Sequence, residues 1–195
     1  MALWGTSDAD ESKPKNLTTA EKKEVFANNS GWVREAGSNW SGNDNTDADP
    51  EVLVAVSGLA DSIGAADVTE VEWITSTADK SAGFTLSVRV RWNEAVTVTG
   101  NPTLAVTNGN QGSGSGRGPH TLVYASGTGT NELVFSLAIA AANAATNAND
   151  VLSIGAQTIA LAGGTIKDTA DGTTVSARAI SGTQGTAAGT VTVVA

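Results

Sequence analysis

Phe84-Thr85-Leu86-Ser87-Val88-Arg89-Val90-Arg91-Trp92 decides the fold of this chain. Its large apolar residues fall at every second position, and between them stand only Thr, Ser and Arg. A period of two is the repeat of a β-strand, whose side chains alternate between faces, so one face is assigned to a core and the other to water.

Outward from this stretch the same text recurs. Strands are expected at Val71 to Ile74, Val96 to Val98, Thr103 to Val106, Leu122 to Tyr124 and Leu133 to Ile139, with weaker ones near Thr158 to Leu161 and Val191 to Val194. Asn-Gly, Gly-Ser and Asp-Gly turns punctuate them. Short strands at regular spacing with such turns predict an antiparallel β-sandwich over residues 67–195. Trp73 and Trp92 lie on these strands and read as core.

Composition supports the reading and thins the core. Ala (31), Thr (25) and Gly (22) dominate, and Val (19) outnumbers Leu (11), which favours β-branched strands over helices. Leu, Ile, Val and Phe make up only about a fifth of the chain, near the level at which chains stop forming cores. With no cysteine, disulfides, thiolate nucleophiles and thiolate-bound metals are excluded. A net charge of -9 without a Lys/Arg cluster argues against nucleic acid as a partner. With no apolar run of membrane-spanning length and no charged-then-apolar leader, a soluble protein is expected, without a membrane partner.

Residues 1–66 read differently. They are richer in charge and hold three of the five tryptophans, Trp4, Trp32 and Trp40, among Ser, Asn, Asp, Gly and Lys. The order Thr18-Thr19-Ala20-Glu21 fits a capping box, predicting one short helix through Ala27 that Val25 and Phe26 would dock. Gly31 to Val33 and Glu51 to Val56 read as strands, residues 37–50 as a polar loop, and Leu59 to Asp67 as a linker. The expected organisation is an N-terminal extended arm with a small α+β region (1–66), followed by the sandwich. Isolated aromatics in polar surroundings suit interface anchors, so Trp4, Phe26, Trp32, Trp40 and Arg34 form the expected partner-binding set.

Other candidates are weaker. One histidine, His120, and no Gly-x-Ser-x-Gly arrangement leave no triad to assemble, so no enzyme is expected. His120 reads as a surface residue at the end of a loop. The glycines of Asn108 to Pro119 lack the helix and the Lys-Ser/Thr of a phosphate loop and read as a hairpin tip. Asn43, Asn45, Asp47, Asp49 and Glu51 space oxygen ligands as a calcium loop would, yet lack the central glycine and the acid at position 12, so a solvated turn is expected and no metal or other cofactor. Asn147, Asn149 and Asp150 read the same way.

Two resemblances refine these expectations. The run Trp92-Asn93-Glu94-Ala95-Val96-Thr97-Val98-Thr99-Gly100-Asn101-Pro102-Thr103-Leu104 is similar to bacterial immunoglobulin-like surface repeats of the SwmB type. So are Tyr124 to Phe135 and Leu161-Ala162-Gly163-Gly164-Thr165-Ile166-Lys167-Asp168, so that residues 68–175 are covered. This resemblance implies an immunoglobulin-like sandwich in an adhesive or structural setting. Met1 to Gly5, Gly31-Trp32-Val33-Arg34-Glu35 and Glu51 to Val56 look like the openings of virion structural proteins from tailed phages of cyanobacteria and other marine bacteria. That likeness implies a capsid decoration or cement protein on the virion exterior. Its partners would be the major capsid protein and neighbouring copies of itself in a lattice-bound multimer. The alternative is a tail-fibre or adhesin-like module that recognises a host-surface glycan or protein.

Overall fold

A computed structural model describes residues 13–110, 117–143, 145–173 and 178–195. Trp4 and the tip at 111–116 lie outside them. Among the described residues the first element is helix α1 (Thr19–Lys23), followed by strands β1 (Val25–Asn28), β2 (Gly31–Arg34) and β3 (Glu51–Ala55). Next come β4 (Val68–Trp73), β5 (Ala78–Asp79), β6 (Phe84–Thr99), β7 (Thr103–Asn110), β8 (His120–Ser126) and β9 (Thr130–Ile139). The chain closes with β10 (Asp150–Ser153), β11 (Gln157–Thr158), β12 (Thr165–Asp168), β13 (Ala179–Ile180), helix α2 (Gly182–Ala188) and β14 (Thr190–Val194). The fold is mainly β and sandwich-like.

The organising element is β6. Its first half pairs antiparallel with β4 on one edge and β9 on the other, in registers that set Val88 opposite both Trp73 and Phe135. The ladder to β9 then shifts between Arg91 and Val96, and the second half of β6 pairs with β12, Val96 against Asp168. Two strands expected from the sequence are thus one continuous strand. From β9 the sheet continues through β8, β7, β10, β14 and β5. Two pairings, β1 on β6 and β5 on β14, are parallel, so the sheet is mixed rather than purely antiparallel. Leu86, Val88, Val90 and Trp92 of β6 are fully buried with Leu122, Leu133, Phe135, Leu152 and Ile166, and Tyr124 stacks edge-on to Phe135 at 6.3 Å. Trp73 is only partly buried against this core and donates from Nε1 to the Gly189 carbonyl at 3.2 Å.

A second, smaller core belongs to the N-terminal part. Thr18 and Glu21 form the expected capping box, but α1 stops at Lys23 because Val25 and Phe26, a β-branched and an aromatic residue, enter β1. A tight turn at Asn29-Ser30, in which Asn28 Oδ1 accepts from Ser30 N at 2.8 Å, brings β2 back onto β1. Gly31 is required there: its φ is +132°, and a Cβ would stand 2.0 Å from the Val54 carbonyl oxygen of β3. Val25, Ala27 and Trp32 close on Leu59 and Ile63, which come from the segment expected to be a linker.

Helix α2 was not expected. Its sequence, Gly-Thr-Gln-Gly-Thr-Ala-Ala, has poor helix propensity. A Ser181/Gln184 capping box starts it, Gln184 Nε2 donates to the Val68 carbonyl at 2.9 Å, and Gly185 lets it approach so closely that a Cβ would lie 2.1 Å from Ile154 O. Tertiary contact overrides propensity here.

Candidate interaction surface

The polar face of β6 does not simply meet water. Arg89 and Arg91 stand two residues apart on it, and the registers place Glu72 opposite Arg89, and Glu70 and Glu132 on either side of Arg91. Arg91 Nη1 lies 3.1 Å from Glu70 Oε2 and 3.2 Å from Glu72 Oε1, while its Nε donates to Glu132. Arg89 reaches Glu72 at 3.0 Å and Glu132 at 3.2 Å, and Lys23 at the end of α1 pairs with Glu70. Alternating acid, base and acid across three neighbouring strands is the sheet's way of pairing charges, since side chains directly opposite lie about 5 Å apart. The Arg91 side chain is only 6% exposed. Burial works against its charge, but the Glu132 hydrogen bond and the charges of Glu132, Glu72 and Glu70 outweigh it and hold the guanidinium above its ordinary pKa.

The N-terminal part lies beside this face. Glu24, itself buried, accepts from the backbone amides of Asn39 and Trp40 at 3.2 and 3.1 Å, and Arg34 Nη1 donates to the Trp40 carbonyl at 2.6 Å. Trp40 is therefore pinned through its own amide and carbonyl while the residue stays 50% exposed. A cavity of about 220 Å³ runs between Trp40, Asn39, Lys23 and the Arg89/Arg91 pair. Half-buried beside the same loop, Glu35 is raised above the usual carboxylate range by burial and by the charge of Glu132.

The expected partner-binding set divides accordingly. Trp40 is at the surface. Phe26 and Trp32 are buried within the chain, which corrects the expectation that they face a partner: Trp32 is fully enclosed by its own second core, and Phe26 lies opposite Val33. Arg34 is also buried, and its guanidinium holds the Trp40 loop rather than an outside group. His120 is a further correction. It is buried, because β8 sets it opposite Val106 and Asn108 Nδ2 lies 3.2 Å from its Nε2. Asn108 also donates to Asp150 Oδ2 at 3.0 Å, so Asp150 points inward and not into a solvated turn. In the 43–51 loop, Asn43 and Asn45 turn their side-chain oxygens back onto the amides of Asn45 and Asp47 at 3.0 and 3.2 Å.

The Arg/Glu ladder escaped the sequence reading, although its signal was present. Glu70 and Glu72 repeat at the same spacing as Arg89 and Arg91, and only the strand pairing was needed to superpose them. No family model matches the chain, and neither a curated protein nor a solved structure matches it.

Proposed function

We propose that the chain is a non-enzymatic structural protein of a phage particle, a capsid decoration protein that binds the outer shell through its N-terminal part while an immunoglobulin-like sandwich projects or bridges. The reading is supported by the resemblance of the N-terminal phrases and of residues 68–175, and by the acidity of the chain, which disfavours contact with packaged DNA. The observation that carries it is Trp40: a half-exposed aromatic residue on a backbone fixed by Glu24 and Arg34, beside a charged cavity. An anchor already held in place loses little freedom on binding, and aromatic anchors beside charge are where interface energy concentrates. Copies arrayed on a symmetric shell, touching the major capsid protein and one another, turn modest single contacts into avidity.

The test is cosedimentation with particles lacking this protein, using the parent chain and Trp40→Ala. Binding that delays heat-induced DNA release, weakened at least tenfold in Trp40→Ala without a change in melting temperature, is the expected result. Equal binding by both chains would remove Trp40 from the interface. Binding to host cells with no effect on particle stability would replace the decoration reading with the receptor-module one.

A further inference from the structure

An acidic pocket lies three residues along β6 from Arg91, where β1 meets β6 at the pair Ala27 and Glu94. Its volume is about 330 Å³, and it is walled by Asn28 and Asn29, Ala60, Glu94, and Asp168 with Thr169. Glu94 is 1% exposed, and neither of its carboxylate oxygens has a hydrogen-bond partner among the described residues. Asp168 is equally buried. Its Oδ1 accepts from the Ala170 amide at 2.7 Å, and its Oδ2 is unpartnered. Both side chains come from one ladder: Val96 is opposite Asp168, and Glu94 stands two residues along on β6, a diagonal spacing within reach of long side chains.

Backbone amides of Ala170, Asp171 and Ala66 favour the charged form of Asp168, but three carboxylate oxygens of this pocket, both of Glu94 and Oδ2 of Asp168, have no hydrogen-bond partner among the described residues. The charges acting on Glu94 are those of Asp168, Asp171, Asp67 and Asp61, all acidic. Burying an ionised carboxylate without a partner costs several kcal/mol, so a positive charge must enter with it. A proton and a metal cation are the two candidates.

We infer that Glu94 and Asp168 bind a divalent cation of the calcium type, which ties the N-terminal part of the chain to the sandwich. The walls supply oxygen and no imidazole or thiolate, which suits a hard cation and not zinc or copper. Among the described residues no three acidic or imidazole side chains are grouped as a metal cluster, so backbone or amide oxygens and water must complete the shell. Calcium tolerates such a mixed and irregular set, whereas magnesium demands a near-ideal octahedron. The walls also come from both parts of the chain: Asn28, Asn29 and Ala60 from the N-terminal part, Glu94 and Asp168 from the sandwich. This inference stands apart from the decoration reading.

The experiment uses the full chain, stripped with chelator and returned to calcium alone, with melting temperature and tryptophan-sensitised terbium luminescence as readouts. Calcium at a hundredfold above its Kd should raise the melting temperature by about 5–10 °C, with magnesium giving a smaller shift. Glu94→Gln and Asp168→Asn should each abolish the calcium shift and the terbium signal. Asp47→Asn with Asp49→Asn, in the exposed loop, should leave both intact. A parent chain unmoved by millimolar calcium and dark with terbium would overturn the inference and leave the proton as the partner of Glu94. A calcium shift that survives in the Glu94 and Asp168 variants, or disappears in the Asp47/Asp49 variant, would also overturn it.

Discussion

Replacing Trp32 separates a core residue from an interface anchor. Trp32 is fully buried and is the largest member of a core whose other fully or nearly enclosed residues are Val25, Ala27, Leu59 and Ile63. Truncating a buried Trp to Ala costs about 3–5 kcal/mol, a large part of the roughly 5–15 kcal/mol that holds a domain folded. The five residues of this core have no larger cluster of their own to redistribute into, so the loss should fall on β1 to β3 and spare β6 and β9. The indole Nε1 has no hydrogen-bond partner among the described residues, and a buried orphan donor costs about 1–3 kcal/mol. Trp32→Phe removes that orphan together with part of the ring, so its net cost should stay below about 2 kcal/mol. Urea unfolding gives the totals, and amide exchange at Ala27 and Val33 against Val88 and Phe135 locates them. Trp32→Ala as stable as the parent by both measurements would refute the second core. A loss of particle binding at unchanged stability would return Trp32 to the interface.

Two further perturbations address the charged face and the buried histidine. Arg91→Met should destabilise the chain by up to about 3 kcal/mol in urea, the lower part of the range for breaking a buried pair, because Glu70 keeps Lys23 and Glu132 keeps Arg89. Adding Glu70→Gln and Glu132→Gln should recover most of that loss, and no recovery would mean that Arg91 acts through packing alone. His120 is held below its ordinary value of 6.5 by burial, with the charge of Asp150 opposing, so the unfolded chain takes up its proton first as pH falls. Its contribution is therefore present above pH 6.5 and lost below it, and His120→Gln should flatten the decline in stability as pH falls below 6.5; an unchanged slope would assign that decline to the carboxylates.

The strand at Phe84 to Trp92 was legible because its alternation is local and its apolar face meets a core built the same way. Arg91 shows where that reading stops. Alternation assigns it to a face, correctly, but what covers the face comes from α1, β4 and β9, and no period in β6 records them. Trp32 is the same case with the opposite outcome. Its neighbours in the sequence are polar, so it reads as stranded, while Leu59 and Ile63 arrive from a stretch of small and acidic residues that reads as a linker. His120 and Asp150 were placed in loops because Gly, Pro and Asn flank them, yet the pairing of β7 with both β8 and β10 draws the two toward Asn108. Of the candidate surface, Trp40 was visible in the sequence; the groups that fix it, Glu24 and Arg34, are 16 and 6 residues away along the chain.

The thin supply of large apolar residues explains why the two cores are joined by polar contacts. The sandwich interior takes far more of the chain's buried Leu, Ile and Val than the N-terminal part, which is left a small core of its own. The junction includes one parallel bridge, Ala27 to Glu94, the Lys23–Glu70 pair, and the acids about Glu94 and Asp168. Partly buried ion pairs of this sort add little net stability, since desolvation offsets most of their attraction, but they penalise every register in which a charge is left alone. The junction therefore fixes orientation more than it adds strength. Because Glu24 of the N-terminal part and Arg89 of β6 border the same cavity as Trp40, that fixed orientation sets the direction in which the ring is presented. Salt, which screens the exposed Lys23 far more than the buried Arg91, should loosen the α1 end of this contact before it disturbs the ladder on β6.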